Sequence, residues 1–229
     1  STVLKLTEIA TRPFLFFLVM GLFFFMGVSF LLRQLSGVTR PAHREVPAVM
    51  LVLVVALMPL LVWLAIVLFQ ADITGGVSAA IAKAGARALW VLPGLAIVAL
   101  AGFSGLQRVL LGREPVVAFP LFLMAVAFYL LVGVEMFHVV DPFGNRMNTV
   151  FKVYYQVWLL LALVGAYGLY YWYAHPKKAA RPAAELPDAA WMGKRRALRL
   201  GRHAWTAAMA VLLLASLYYP MGAVLDRTG

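Results

Sequence analysis

Glu135, His138, Asp141, Arg146 and Lys152 crowd into one short stretch of a 229-residue chain in which only 13% of residues are charged. An ionisable group inside a membrane is costly, so such a cluster points to function with a partner. The Arg and Lys would meet an anion, phosphate above all. Asp141-Pro142 followed by Gly144-Asn145 is turn chemistry, so this part reads as a loop between two apolar runs. Asn148 is expected as the N-cap of the following helix, its side-chain oxygen accepting from the first free N–H groups. From that start, Asn148, Lys152, Tyr155 and Gln156 share one helical face. Lys152 then lies about one turn below the surface, since each residue rises about 1.5 Å. An Arg, a Lys and a helix N-terminus converging on one spot would suit an anion. Tyr154, Tyr155 and Trp158 would line its walls. Each residue also has a plainer role. Lys152 could snorkel to headgroups, the aromatics could form an interfacial belt, Glu135 could pair with Lys152 or Arg146, and Asp141 could serve only the turn.

The elements that must position these residues are membrane spans. The chain is 64% hydrophobic, with a mean hydropathy of +0.89, whereas soluble domains are nearer half apolar. The expected fold is all-α: a polytopic bundle of about six spanning helices in a single transmembrane domain, residues 1–229. The spans are placed at Pro13 to Leu32, Val46 to Phe69, Ala88 to Leu106, Pro115 to Met136, Asn148 to Trp172 and Ala204 to Leu225. Pro59 is expected to kink the second. Gly94, Gly102 and Gly105 in the third permit close helix approach. Ahead of it, Val77 to Arg87 is weakly amphipathic and could lie in the interface. Ser1 to Arg12 lacks the pattern of a signal peptide. Both ends read as cuts in a longer chain.

Charge orients the set. Thirteen of the twenty Lys and Arg residues fall in the stretches after spans one, three and five. By the positive-inside rule, loops 33–45, 107–114 and 175–203 are cytoplasmic. Loops 70–76 and 137–147, and both termini, lie outside. The same distribution argues against nucleic acid as the partner of a chain with net charge +11. The basic loop 175–203 reads as a solvated linker, or as a surface helix around Trp191 to Trp205 that attracts anionic lipid. Without cysteine there are no disulfides or thiolate sites. His43, His138, His175 and His203 are too scattered for a histidine metal centre.

The stretch Arg146-Met-Asn-Thr-Val-Phe-Lys152-Val-Tyr-Tyr-Gln156-Val-Trp158, with Asp141 upstream, resembles the hallmark of the large YYY-type multispanning membrane proteins, a family of unknown function. The tail from Tyr218 to Gly229 is similar to the end of that family's membrane region. The YYY-x-Gly signature itself is not visible. The family's layout is similar to that of the C-type glycosyltransferases, which take a sugar from a polyprenyl phosphate on the outer face. That resemblance implies the C-terminal membrane half of such an enzyme. It implies phosphate recognition by Arg146, Asn148, Lys152, Tyr155 and Gln156, and a catalytic role for Asp141 or Glu135. It also implies a divalent metal, Mg or Mn, held by a carboxylate in an early outer loop. Implied partners are membrane lipids, a polyprenyl phosphate among them, and other subunits of a membrane complex. Two other functions compete: a structural subunit of such a complex, and a transporter or lipid flippase.

Overall fold

Apolar length decides the elements. Six helices are long and apolar enough to cross a membrane. The computed structural model describes residues 4–7, 11–36, 45–69, 76–112, 114–139, 146–175 and 188–228. In chain order these form β1 (Leu4–Leu6), α1 (Pro13–Leu35), α2 (Val46–Phe69), α3 (Val77–Leu110), α4 (Pro115–Met136), β2 (Phe137–Val139), α5 (Met147–Ala174) and α6 (Asp188–Thr228). The second and fourth helices have the expected bounds: α2 is apolar between Glu45 and Gln70, and α4 starts at Pro115 after Glu114 and ends one residue past Glu135. Pro59 sits inside α2, which continues through it. Most of the expected outer loops lies outside the described residues, including Asp72 and Asp141.

Three expectations need correction. The stretch Val77 to Arg87 is the first part of α3 rather than a separate interfacial segment. Its alanines are strong helix formers, and nothing before Val91 interrupts the ladder. Of the two readings of the basic loop 175–203, the solvated linker gives way from Asp188 onward to the helix expected around Trp191 to Trp205, its Ala, Leu and Arg residues favouring it. The third correction is a small antiparallel sheet, in which Leu4 faces Val139, Lys5 faces His138 and Leu6 faces Phe137. Period-two patterning is too short at either strand to be visible in the sequence.

The most buried span is α4. It packs between α3 and α5, while α1 lies against α5 and α2 against α3. Met20, Phe30, Leu121, Met124, Val157, Leu161 and Val164 fill the core shared by α1, α4 and α5. A second cluster, with Trp63, Val67, Val91, Leu95, Val132 and Met136, joins α2, α3 and α4. Lipid is as apolar as these side chains, so close packing rather than water exclusion holds such helices together. Gly94 shows how close: a Cβ there would come 2.9 Å from Val132 Cγ2. At Gly168 a Cβ would lie 3.0 Å from Phe30 Cβ, which fixes the approach of α5 to α1.

Polar contacts sort into two ends. At the basic end, Arg108 of α3 donates to the Gln34 side chain of α1 at 2.7 Å. Gln107 donates to Glu45, just ahead of α2, at 3.1 Å, and Arg33 donates to the Trp172 carbonyl of α5 at 3.5 Å. At the carboxylate end, Glu135 of α4 meets Thr11, ahead of α1, and the start of α5. The helices therefore alternate in direction, as the six-span reading requires.

Candidate functional site

The carboxylate end is built around the last turn of α4. Helix C-termini leave carbonyls without intrahelical partners and favour cations. Here the carbonyls of residues 134 to 136 all find donors. The Val134 carbonyl accepts from Thr7 Oγ1 at 3.4 Å and from Arg146 Nη1 at 3.5 Å. The Glu135 carbonyl accepts from Arg87 Nη1 at 3.0 Å, and the Met136 carbonyl from the Thr7 N–H at 2.9 Å. Arg87 also donates to the Thr7 carbonyl. The β1–β2 pairing carries the N-terminal segment across this end and so sets Thr7 in place. Burial lowers the Arg87 guanidinium from its ordinary value; the Glu135 charge opposes that shift and Arg146 adds to it.

The Glu135 side chain is the centre of the site. Its carboxylate accepts from the Thr11 N–H at 2.8 Å and from Thr11 Oγ1 at 2.5 Å. Arg146 Nη1 stands 3.5 Å from it in an ion pair, and Arg146 Nη2 donates to Thr11 Oγ1 at 3.0 Å. The Tyr154 hydroxyl approaches at 3.5 Å. Below this cluster lies a cavity of about 390 Å³. Its walls are largely apolar, from Phe16, Phe24, Ile97, Phe128 and Leu131, and its polar edge is Thr11, Glu135 and Tyr154.

The expected site residues divide. Glu135 and Arg146 come together. Asn148, Lys152, Tyr155 and Gln156 do share one face of α5, but that face is exposed, Tyr155 at 69%. Arg146 turns inward to Glu135, so the two cations do not point at one spot. Asn148 is not the N-cap. The helix starts at Met147, Arg146 takes the cap position, and no side chain caps it. The Thr149 hydroxyl instead donates to the Val139 carbonyl at 3.2 Å, tying the first turn of α5 to β2. Asp141 lies outside the described residues. Thr7, Thr11 and Arg87 were not visible from sequence, because their partners are 48 to 131 residues away. Tyr154 was expected as a wall residue, and it is Tyr154, not Tyr155, that reaches Glu135.

The described part of this cluster offers a divalent metal one carboxylate, Glu135, while Asp141 lies outside the described residues. Among the described residues no three His, Asp or Glu side chains gather. The Glu135 oxygens already face Thr11 and Arg146, and a cation there would meet the Arg146 charge.

No curated protein and no solved structure matches the chain. A family model described as "Uncharacterized membrane protein (DUF2298)" matches residues 2–161. That match runs from the N-terminal segment into the middle of α5, and so takes in Thr7, Thr11, Arg87, Glu135, Arg146 and Tyr154. On a match spanning more than two thirds of its length, together with six helices able to span a membrane, the chain belongs to this family of multispanning membrane proteins.

Proposed function

We propose that the chain is a glycosyltransferase-like membrane protein that receives a polyprenyl-phosphate-linked sugar at the outer membrane face. One observation carries this reading: an apolar cavity of about 390 Å³ ends at a carboxylate, a phenol and a hydroxyl. Ligand sites are typically apolar clefts with a few polar groups that fix orientation. An isoprenoid chain suits the phenylalanine-lined walls, and its headgroup suits the polar edge. The positive-inside distribution of Lys and Arg supports placing this end outside.

The residues divide the work by position. In glycosyl transfer the bond from the anomeric carbon to the carrier phosphate breaks, and the phosphate leaves with the electron pair. The acceptor oxygen bonds to that carbon and releases its proton. Glu135, held by Thr11, or Asp141 takes that proton. Arg146 has donors to spare beyond its contacts with Glu135, Thr11 and Val134. It meets the leaving phosphate where negative charge develops. Lys152, on the exposed face of α5 and apart from Arg146, draws the carrier's phosphate from the headgroup layer, and Asn148, Tyr155 and Gln156 supply polar neighbours there.

A structural subunit is the second reading. It is favoured by α6, whose apolar window Arg196–Leu217 has none of its residues buried. Transport has less support, since the described ionisable residues sit toward span ends, and coupled transporters usually need one at mid-depth. Binding of a polyprenyl phosphate to the purified chain tests the first reading. Lys152→Ala and Arg146→Ala should each weaken it while the protein stays folded. Unchanged binding in both variants removes the phosphate site.

A further inference from the structure

A second cleft, of about 500 Å³, opens at the opposite, basic end where α6 crosses α1 and α5. Trp205 of α6 makes the joint. Its Nε1 donates to Ser29 Oγ at 2.9 Å, and its ring stacks on Trp172, with centroids 4.3 Å apart. Beside that joint α6 diverges and leaves the cleft between Arg33 and Arg202. At Gly201, on its wall, an added Cβ would meet nothing within 4 Å.

The two cations are held by aromatic faces instead of carboxylates. Arg33 stands 5.1 Å from the Tyr171 ring and 5.3 Å from the Trp172 ring, while Arg202 stands 5.8 Å from the Tyr173 ring. Among the described residues neither has an acidic partner within ion-pair distance. Stacking orients a guanidinium but leaves most of its N–H edge free for a planar or tetrahedral oxyanion. Tryptophans at such a joint mark the level of lipid headgroups. The cleft lining is mainly apolar, and no residue of the α6 span Arg196–Leu217 is fully buried. A ligand with a phosphate and hydrocarbon tails matches both features.

We infer that the cleft between α6 and the α1–α5 pair binds an anionic phospholipid, its phosphate between Arg33 and Arg202 and its chains along α6. The site is separate from the Glu135 cavity and does not depend on the function proposed for it. The full chain in nanodiscs of equal phosphatidylglycerol and phosphatidylcholine provides the test, with retained lipid read by native mass spectrometry. The wild type retains phosphatidylglycerol in preference. Arg33→Gln and Arg202→Gln each reduce that preference at least fivefold, as expected when a bound phosphate loses a charge-assisted hydrogen bond. Arg199→Gln, exposed on the same helix and outside the cleft, leaves it unchanged. Should Arg33→Gln fail to fold, Arg202→Gln decides, because that side chain is exposed. Equal retention of both lipids, or an Arg199→Gln effect as large as that of Arg202→Gln, overturns the site. Displacement by millimolar glycerol 3-phosphate would make the ligand a soluble phosphate and overturn the lipid assignment.

Discussion

Replacing Glu135 by Gln keeps the shape of the side chain and removes its charge. The ion pair with Arg146 is lost, and the two bonds from Thr11 become neutral. Breaking a fully buried pair costs about 3–5 kcal/mol, and an exposed pair about 0–1. Both side chains here are 18% exposed, which places the pair between those limits, at about 1–2 kcal/mol. Weakening the charge-assisted bonds adds about 1 kcal/mol. A loss of about 2–3 kcal/mol corresponds to roughly 4–12 °C in Tm for a chain of this size. Thermal melting in detergent micelles, followed by tryptophan fluorescence, measures it. Arg146→Gln should cost about 1–2 kcal/mol by the same reasoning, and the double variant should cost less than the sum by about 1 kcal/mol. Lys152→Gln, on the exposed face, should leave Tm unchanged. A Glu135→Gln variant that melts like the wild type, or costs that simply add, would refute the coupling on which the site is built.

Thr11→Val removes the hydroxyl shared by Glu135 and Arg146 but keeps the backbone donor; it should lower stability by about 1–2 kcal/mol in the same melting assay. Gly168→Leu would drive a side chain into Phe30, already at 3.0 Å from the Cβ position. Overpacking of about 1–3 kcal/mol should follow, seen as a lower Tm, and a variant with an unchanged Tm would deny the close approach of α1 and α5. The absence of cysteine makes topology direct to measure. Asn148→Cys should react with an impermeant maleimide added to intact cells, and Leu200→Cys only after lysis; the reverse pattern would invert the orientation.

Helix existence and bounds were legible wherever apolar length alone determined them. The ends of α2 and the start of α4 follow from the sequence because Val46, Phe69 and Pro115 sit at abrupt changes of polarity, and the end of α4 lies beside the ionisable Glu135. The extra length of α3 was not legible, since Val77 to Arg87 is polar enough to leave the membrane yet made of helix formers, and that of α6 was legible only as the surface-helix reading around Trp191 to Trp205. At the site, Glu135 and Arg146 were legible as ionisable groups at the ends of apolar runs, which cost too much to stand without partners. Their pairing with each other was also among the readings, but the threonine and the arginine that complete the site were not. Thr11 reaches Glu135 across 124 residues of sequence, and that meeting is fixed by the β1–β2 pairing and by the packing of α1. The Asn148 cap failed because the helix starts at Met147, which puts the cap position two residues earlier, on Arg146.

The reading of the Glu135 cavity as the carrier's seat is tested most directly by photo-crosslinking. A polyprenyl phosphate bearing a diazirine in its first isoprene units would be incorporated with the full chain and irradiated, and the adducts mapped by peptide mass spectrometry. Adducts at Phe16, Phe24, Phe128 or Leu131, suppressed by excess unlabelled carrier, are the predicted result. Adducts spread over the lipid-facing sides of α2 and α6, with no suppression by carrier, would contradict it.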